Sequence, residues 1–215
     1  MIKEKDYSKY KLIPIEKVYY AFYQTKKKQM YFNEIREITG MSISSLQNAL
    51  LKLELSNGVI KIKKKGNVFY QLDYKEYIIL NFTRFDLIRL SKLNRNIKIP
   101  LQEFLDKINN IAFVLLFGSA SKGEEKKGSD IDLLIVTNHY EENELNEKYQ
   151  KEIKNKIETI KKSVNAKSLH PLSLVFVNQK EFKDRKDYLL EEAKKTGFCI
   201  YNQQQYYKEA LNNEN

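Results

Sequence analysis

The sequence predicts an α+β chain in two parts, a first half of helices with a β-hairpin and a second half in which helices flank a mixed sheet. In the first half, apolar residues recur at the spacing of a buried helical face and are followed by two short strand patterns. In the second half, three apolar runs of strand length alternate with helix-length amphipathic segments. A length of 215 residues suits one large or two small domains.

The first two helices are predicted over residues 15–27 and 31–38. Pro14 favours the first turn of the first helix. Asn33 is the expected N-cap of the second helix, and Gly40 is its expected stop.

A third helix, capped by Ser42 or Ser44, is predicted to end near Leu55, with one apolar stripe for burial. The stripe consists of Leu46, Ala49, Leu50 and Leu53, and the opposite face offers Ser44, Ser45, Gln47, Asn48 and Lys52. A turn at Asn57-Gly58 then leads into strands over 59–64 and 68–72. The tip of this hairpin is Lys65-Gly66-Asn67.

Residues 74–93 carry apolar residues at helical spacing, which predicts a long connecting helix and a candidate homodimer surface. We place the domain boundary at residues 94–100, so that the domains are 1–95 and 96–215. The predicted elements of the second domain alternate along the chain. They are a helix over 101–110, strands over 111–117 and 131–137, a helix over 143–162, a strand over 172–177, a helix over 180–195, an apolar run over 198–201 and a final helix.

The net charge of +10 is concentrated in the first half of the chain. Residues 1–99 hold 20 Lys and Arg against 9 Asp and Glu, whereas residues 100–215 hold 18 against 19. A basic module joined to a balanced one indicates a polyanionic partner for the first half. A general abundance of lysine is the alternative, but it does not explain why the second half is balanced.

The single Cys199 excludes an internal disulfide and fits a reducing cytosol. No apolar run is long enough to span a bilayer, and the first residues lack the apolar core of a signal peptide. We therefore expect a cytoplasmic protein without a membrane partner. His170 is expected to be a loop residue rather than a metal ligand.

Two short motifs carry most of the chemical information in the second half. Gly118-Ser119 directly follows one apolar run, and Asp130-Ile131-Asp132 opens the next. Residues i and i+2 of a strand share a face, so that the two carboxylates would stand side by side and need a cation or a proton between them. Oxygen ligands of this kind suit Mg²⁺ together with substrate phosphates, and a Gly-Ser turn lets backbone N–H groups approach a phosphate. A hairpin with an exposed acidic strand start is the alternative interpretation.

The order and spacing of these motifs resemble the nucleotidyltransferase superfamily that includes DNA polymerase beta, kanamycin nucleotidyltransferase and the minimal nucleotidyltransferases. Lys122-Gly123 stands where many minimal members carry Arg-Gly. The resemblance implies an NTP as substrate, with ATP expected, and transfer of a nucleoside monophosphate to a hydroxyl group. The implied residues are Asp130 and Asp132 for catalysis and magnesium, and Gly118, Ser119, Lys122 and Ser129 for the nucleotide.

One position departs from this family pattern. Members usually carry a third carboxylate on a later strand, but residues 172–177 contain neither Asp nor Glu, and Ser173 stands nearest the expected position. A hydroxyl is a poor base and a weak magnesium ligand. Glu181 and Asp184 lie beyond this strand and are expected on the next helix.

Residues 15–73 resemble a winged helix-turn-helix of small prokaryotic regulators, which implies binding to double-stranded DNA. In such a domain Gln47 and Asn48 would read adenine, and Ser44 or Ser45 would reach a phosphate or base. The wing would contact phosphates through Lys61, Lys63, Lys64 and Lys65. Winged helices also bind proteins, which leaves a protein partner as an alternative.

Two functional hypotheses follow. The first is a nucleotidyltransferase enzyme that is targeted to DNA by its basic domain. The alternative is a DNA-binding regulator or antitoxin-like protein whose nucleotidyltransferase domain is catalytically weak or inactive, which the missing third carboxylate favours.

Overall fold

The computed structural model describes residues 12–64, 66–73, 75–138 and 144–212, apart from the side chains of 144–146 and 212. The chain divides into two compact units, Met1–Phe85 and Asp86–Asn215. The division falls within a helix, whereas residues 94–100, where the sequence suggested a boundary, lie in the second unit and contribute to another helix.

The first unit begins with helices and ends in a hairpin followed by the start of a long helix. Its elements are α1 (Pro14–Thr25), β1 (Met30–Tyr31), α2 (Phe32–Thr39), α3 (Ile43–Leu55), β2 (Val59–Lys64), β3 (Asn67–Leu72) and α4 (Lys75–Ser91), the last of which spans the division. The three strands form an antiparallel sheet in the order β1-β3-β2.

Local chemistry explains where these helices begin and end. Pro14 occupies the first turn of α1, Gly40 ends α2 in a left-handed conformation with φ of 62°, and the Ser42 hydroxyl caps α3 by accepting from Ser45 N–H at 3.2 Å. The prediction for Asn33 is wrong, because it lies inside α2. The N-cap is Tyr31, whose N–H donates to the Glu34 carboxylate at 2.8 Å.

The core of the first unit forms where α1 packs on α3. The predicted stripe of α3 is buried, with Leu46 fully inaccessible. Phe22 of α1 and Ile35 of α2 are buried as well, and an aromatic group of Tyr20, Tyr23 and Phe85 adds edge-on and tilted ring contacts. The unit therefore has its own apolar core.

The second unit is a four-stranded mixed sheet with helices. Its elements after α4 are α5 (Arg95–Leu105), β4 (Phe113–Phe117), α6 (Gly118–Lys122), β5 (Ile131–Thr137), α7 (Glu144–Asn165), β6 (Leu172–Asn178), α8 (Gln179–Asp184), α9 (Tyr188–Thr196), β7 (Phe198–Tyr201) and α10 (Gln203–Asn212). The strand order is β6-β5-β4-β7, with β5 and β6 parallel and β4 antiparallel to both β5 and β7. The prediction of a mixed sheet is confirmed.

Two helix predictions in this unit are wrong. The helix expected over 101–110 begins at Arg95 instead, because the Asn94 side chain accepts from Asn96 N–H at 3.0 Å and caps it, and α5 continues through Pro100. The single helix expected over 180–195 is two helices, since Asp187 caps α9 by accepting from Leu190 N–H at 2.9 Å.

Helices cover both faces of β4, one of the two inner strands of the sheet, in which every residue is buried. Val114 and Leu116 belong to the same apolar cluster as Ile157 of α7. Phe113, one residue away from Val114, instead contacts Phe182 of α8, with ring centroids 5.1 Å apart. Because neighbouring residues of a strand point to opposite faces, these contacts place apolar helices on each side. None of the helices in the described ranges is long and apolar enough to cross a membrane.

A buried polar contact ties α10 to the second-unit end of α4. Asp86 is completely buried, and the Tyr207 hydroxyl donates to its carboxylate at 2.7 Å. A buried carboxylate needs such donors because it has lost water. Both residues thus contribute to the stability of the second unit.

Replacing Tyr207→Phe should lower the free energy of unfolding by about 2 kcal/mol, because a buried charge-assisted hydrogen bond is lost without a change in ring volume. Urea unfolding of the full chain measures it. Tyr188→Phe is the matched control, since Tyr188 is 85% exposed, and it should change stability by less than about 0.5 kcal/mol. Equal effects of the two substitutions would contradict the role given to Tyr207.

Candidate functional site

The two sequence motifs of the second unit meet where β4 ends. Phe117 pairs with Asp132 across the β4–β5 ladder, and Gly118 follows with a positive φ of 67°. A Cβ at Gly118 would lie 2.3 Å from Oδ2 of Asp132. The backbone at Gly118 therefore lies directly against the Asp132 carboxylate, and a side chain there would require that carboxylate to shift.

Helix α6 forms a short turn after this contact. The Ser121 hydroxyl donates to the Gly118 carbonyl at 2.8 Å, and Gly123 ends the helix with φ of 66°. Glu124 N–H then donates to the Ser119 carbonyl at 3.0 Å. These bonds hold Ser119 and Lys122 on one compact turn beside Asp132.

The loop that leads into Asp130 is held by the segment just before β6. The Ser129 hydroxyl donates to the Lys126 carbonyl at 2.7 Å. His170, 6% exposed, contacts the Ser129 carbonyl through Nδ1 at 2.9 Å, which requires a proton on Nδ1. Ile131 N–H donates to the Pro171 carbonyl at 2.8 Å. His170 lies between α7 and β6, so the prediction of a loop residue is confirmed, but its contact with Ser129 was not anticipated.

Asp130 and Asp132 are close enough to influence each other. Asp130 is exposed and Asp132 is half-buried. Burial raises the pKa of Asp132 above its ordinary value, and the negative charge of Asp130 raises it further. Two carboxylates in this state favour a bound cation or a proton.

Ser173 stands beside Asp132 in the parallel ladder of β5 and β6. A hydrogen bond from the Ser173 side chain to Asp132 opposes the rise of the Asp132 pKa. The position nearest to where the resemblance leads us to expect a carboxylate thus holds a hydroxyl. Glu181 and Asp184 lie in α8, as predicted, and the Glu181 carboxylate accepts from Asn178 N–H at 2.8 Å.

Sequence reasoning missed a third acidic group near this site. Glu192 of α9 approaches Lys122 of α6, with 3.5 Å between Oε1 and Nζ. The charge of Glu192 also raises the pKa of Asp132. No sequence signal marks Glu192, since it belongs to an ordinary charged helix far along the chain.

Arg89 connects the two helices that carry Lys122 and Glu192. Its guanidinium donates to the Ser121 carbonyl at 3.1 Å and to the Thr196 carbonyl at 3.4 Å, and lies 4.1 Å from the centroid of the Phe198 ring. A cation at helix C-termini is favourable because the last carbonyls there lack intrahelical partners. Arg89 thereby sets the spacing between the ends of α6 and α9.

The residues present fit a magnesium ion that also binds substrate phosphates. Among the described residues, no group of three or more His, Cys, Asp or Glu side chains is arranged to hold a metal ion by itself. Magnesium commonly takes one or two carboxylates and completes its shell with water and phosphate oxygens. Asp130 and Asp132 supply two such carboxylates.

The candidate DNA-contacting residues lie on α3 and the hairpin of the first unit. Ser44, Gln47 and Asn48 are exposed, whereas the Ser45 hydroxyl lies 3.8 Å from the Met41 sulfur as a donor. Leu51 and Leu55 of α3 are also exposed.

The lysines of the hairpin differ in their contacts. Lys61 pairs with Glu54 at 2.8 Å, and this hydrogen bond raises the pKa of Lys61. Lys64 donates to the Gln29 side chain at 3.0 Å, and Lys63 is exposed. Lys65 lies outside the described residues.

Comparison with known proteins gives one family match. A family model described as a nucleotidyltransferase domain matches residues 98–196, which include both motifs, Ser173 and Glu192. No curated protein matches the sequence. The mixed sheet and the contact between Gly118 and Asp132 agree with this match, which supports the assignment of residues 98–196 to the nucleotidyltransferase superfamily.

Proposed function

We propose that the second unit binds an NTP with magnesium and transfers its nucleoside monophosphate to an acceptor hydroxyl. The observation that carries this proposal is the contact between the Gly118 backbone and the Asp132 carboxylate, with Asp130 nearby. It brings a turn suited to phosphate and an acidic pair suited to magnesium to the same end of the sheet.

The residues have distinct roles in this proposal. Asp130 and Asp132 hold magnesium, which when bound supplies positive charge to the reacting phosphate oxygens. Ser119 and the backbone of Gly118 contact the triphosphate, with Lys122 as a counter-charge. Ser129 completes the nucleotide contacts from the loop that His170 holds. ATP is the expected nucleotide.

Replacing Asp130→Asn and Asp132→Asn together should abolish the increase in Tm that magnesium plus a non-hydrolysable ATP analogue produces in the wild type. Ligand that binds only the native state raises apparent stability by mass action, and the variant lacks the metal ligands. Thermal unfolding with and without both ligands measures it. The control is Asp106→Asn/Asp184→Asn, which removes two exposed carboxylates of the same unit and should keep the shift. Equal increases in Tm in all three proteins would show that the acidic pair does not bind the metal.

The same acidic pair predicts a pH effect without metal. Because the pKa of Asp132 is raised in the folded state, its charged form destabilises the fold as the pH rises through that pKa. In EDTA, the Asp130→Asn/Asp132→Asn variant should therefore equal or slightly exceed the wild type in stability at neutral pH. The difference should vanish below about pH 3.9, where carboxyls are protonated in both states. Urea unfolding at several pH values measures it, and a less stable variant at neutral pH would contradict it.

A second candidate function is nucleotide binding without efficient turnover, in a DNA-binding regulator or an antitoxin-like partner of another protein. The hydroxyl of Ser173 in place of a carboxylate beside Asp132 favours it.

If Ser173 limits turnover, Ser173→Asp should raise transfer of labelled nucleotide by about tenfold or more, because a positioned base contributes at least that much. Ser173→Asn is the matched control, since it has nearly the same shape without the charge. If the wild type transfers labelled nucleotide as fast as Ser173→Asp, Ser173 does not limit turnover.

We propose further that the first unit binds double-stranded DNA as a winged helix-turn-helix. The order of helix, strand, two helices and hairpin supports it, as does the excess of positive charge in residues 1–99. Gln47 and Asn48 of α3 remain the candidate base-reading residues. A homodimer through residues 74–93 also stays a prediction; Leu80 and Leu87 of α4 are 64% and 51% exposed.

Replacing Lys63→Gln and Lys64→Gln should weaken binding of duplex DNA and reduce the slope of log affinity against log salt by about 1.8, since two phosphate contacts are lost. Salt titrations of the full chain by fluorescence anisotropy measure both quantities. Lys161→Gln/Lys162→Gln removes the same charge from α7 and should leave the slope unchanged. Identical slopes in all proteins would show that Lys63 and Lys64 do not contact DNA phosphates. The exposed Leu51 and Leu55 would then favour a protein partner for the first unit.

A further inference from the structure

The Lys122 amine lies beside the Glu192 carboxylate. The two side chains come from α6 and α9 and form an ion pair of 3.5 Å, with side chains 38% and 31% exposed. An ion pair with this exposure adds little to folding stability. It does place one positive charge in a site with several negative ones.

Without Glu192, Lys122 would lose this partner while it remains on the turn beside the acidic pair. Lys122 belongs to the same turn as Gly118, whose backbone lies against Asp132. Opposite charges within a few ångströms attract by several times the thermal energy when water is partly excluded. An ammonium group seated on Asp130 and Asp132 would occupy the oxygens that a divalent cation requires.

We propose that Glu192 is a positioning residue that holds the Lys122 amine away from Asp130 and Asp132, so that the acidic pair stays available to a divalent cation. This inference rests on the proposed function. The inference extends the proposed function by giving a role to Glu192 of α9. The triphosphate then replaces Glu192 as the partner of Lys122 when the nucleotide binds.

The surroundings of the ion pair support a fixed geometry. Arg89 donates to the carbonyl of Ser121, the neighbour of Lys122, and to that of Thr196, one turn after Glu192. The ends of the two helices therefore cannot separate without breaking these bonds. Glu191, adjacent to Glu192, is 59% exposed and pairs with Lys194 of its own helix at 3.6 Å. It offers a control with the same charge and helix.

The test is a double-mutant cycle on the full chain, with Mn²⁺ alone as the probe and free Mn²⁺ counted by electron paramagnetic resonance. Glu192→Gln should weaken Mn²⁺ binding about tenfold, because Lys122 then competes for the carboxylates. Lys122→Met alone should change the Mn²⁺ affinity by less than about twofold. In the Glu192→Gln background, the same substitution should raise the Mn²⁺ affinity about tenfold, back to the wild-type level. Glu191→Gln should behave as wild type.

Each outcome separates the alternatives. A simple sum of charges predicts that Lys122→Met has the same effect in both backgrounds, and this additive result would overturn the inference. Failure of Lys122→Met to restore binding would indicate that Glu192 is itself a ligand, which also overturns it. Wild type that shows a Tm increase with magnesium plus the ATP analogue but no binding of Mn²⁺ alone would reject only this inference. Wild type that binds neither would reject the proposed function as well.

Discussion

The contact between the Gly118 backbone and the Asp132 carboxylate is the constraint on which the candidate site depends. A Cβ at Gly118 would come within 2.3 Å of a carboxylate oxygen, and the backbone there has φ of 67°. Both conditions disfavour any residue other than glycine. The close approach lets the end of β4 turn directly into α6, so that Ser119 and Lys122 stand beside the acidic pair rather than along the strand.

Contacts distant in sequence maintain this approach. The β4–β5 register sets Phe117 opposite Asp132, and His170 holds the carbonyl of Ser129 just before Asp130. On the other side, Arg89 donates to the last turns of α6 and α9. The site is thus supported by the sheet, by the loop before β6 and by the end of α4, all within the second unit.

The sequence predicts what local patterns encode. The strands β5 and β6 and the helix α3 follow from apolar spacing and from capping by Ser42, and all three predictions are confirmed within a residue. The two-residue strand β1 is too short to show alternation, and its pairing with β3 is a long-range contact. Asn33 was misassigned because Glu34 satisfies the backbone of Tyr31 instead.

Of the candidate site, the sequence predicts the two motifs and the absence of a carboxylate at Ser173, because these depend on order and spacing. Glu192, Arg89 and His170 could not be predicted, since each reaches the site from a separate element without a pattern of its own. Ser173 donates a hydrogen bond to Asp132, whereas Glu192 adds negative charge from α9. Asp130 and Glu192 are thus the carboxylates whose charges raise the pKa of Asp132, and Glu192 also lies 3.5 Å from the Lys122 amine. Negative charge therefore reaches Asp132 from α9 as well as from Asp130, so that its electrostatic surroundings depend on segments that are far apart in the sequence.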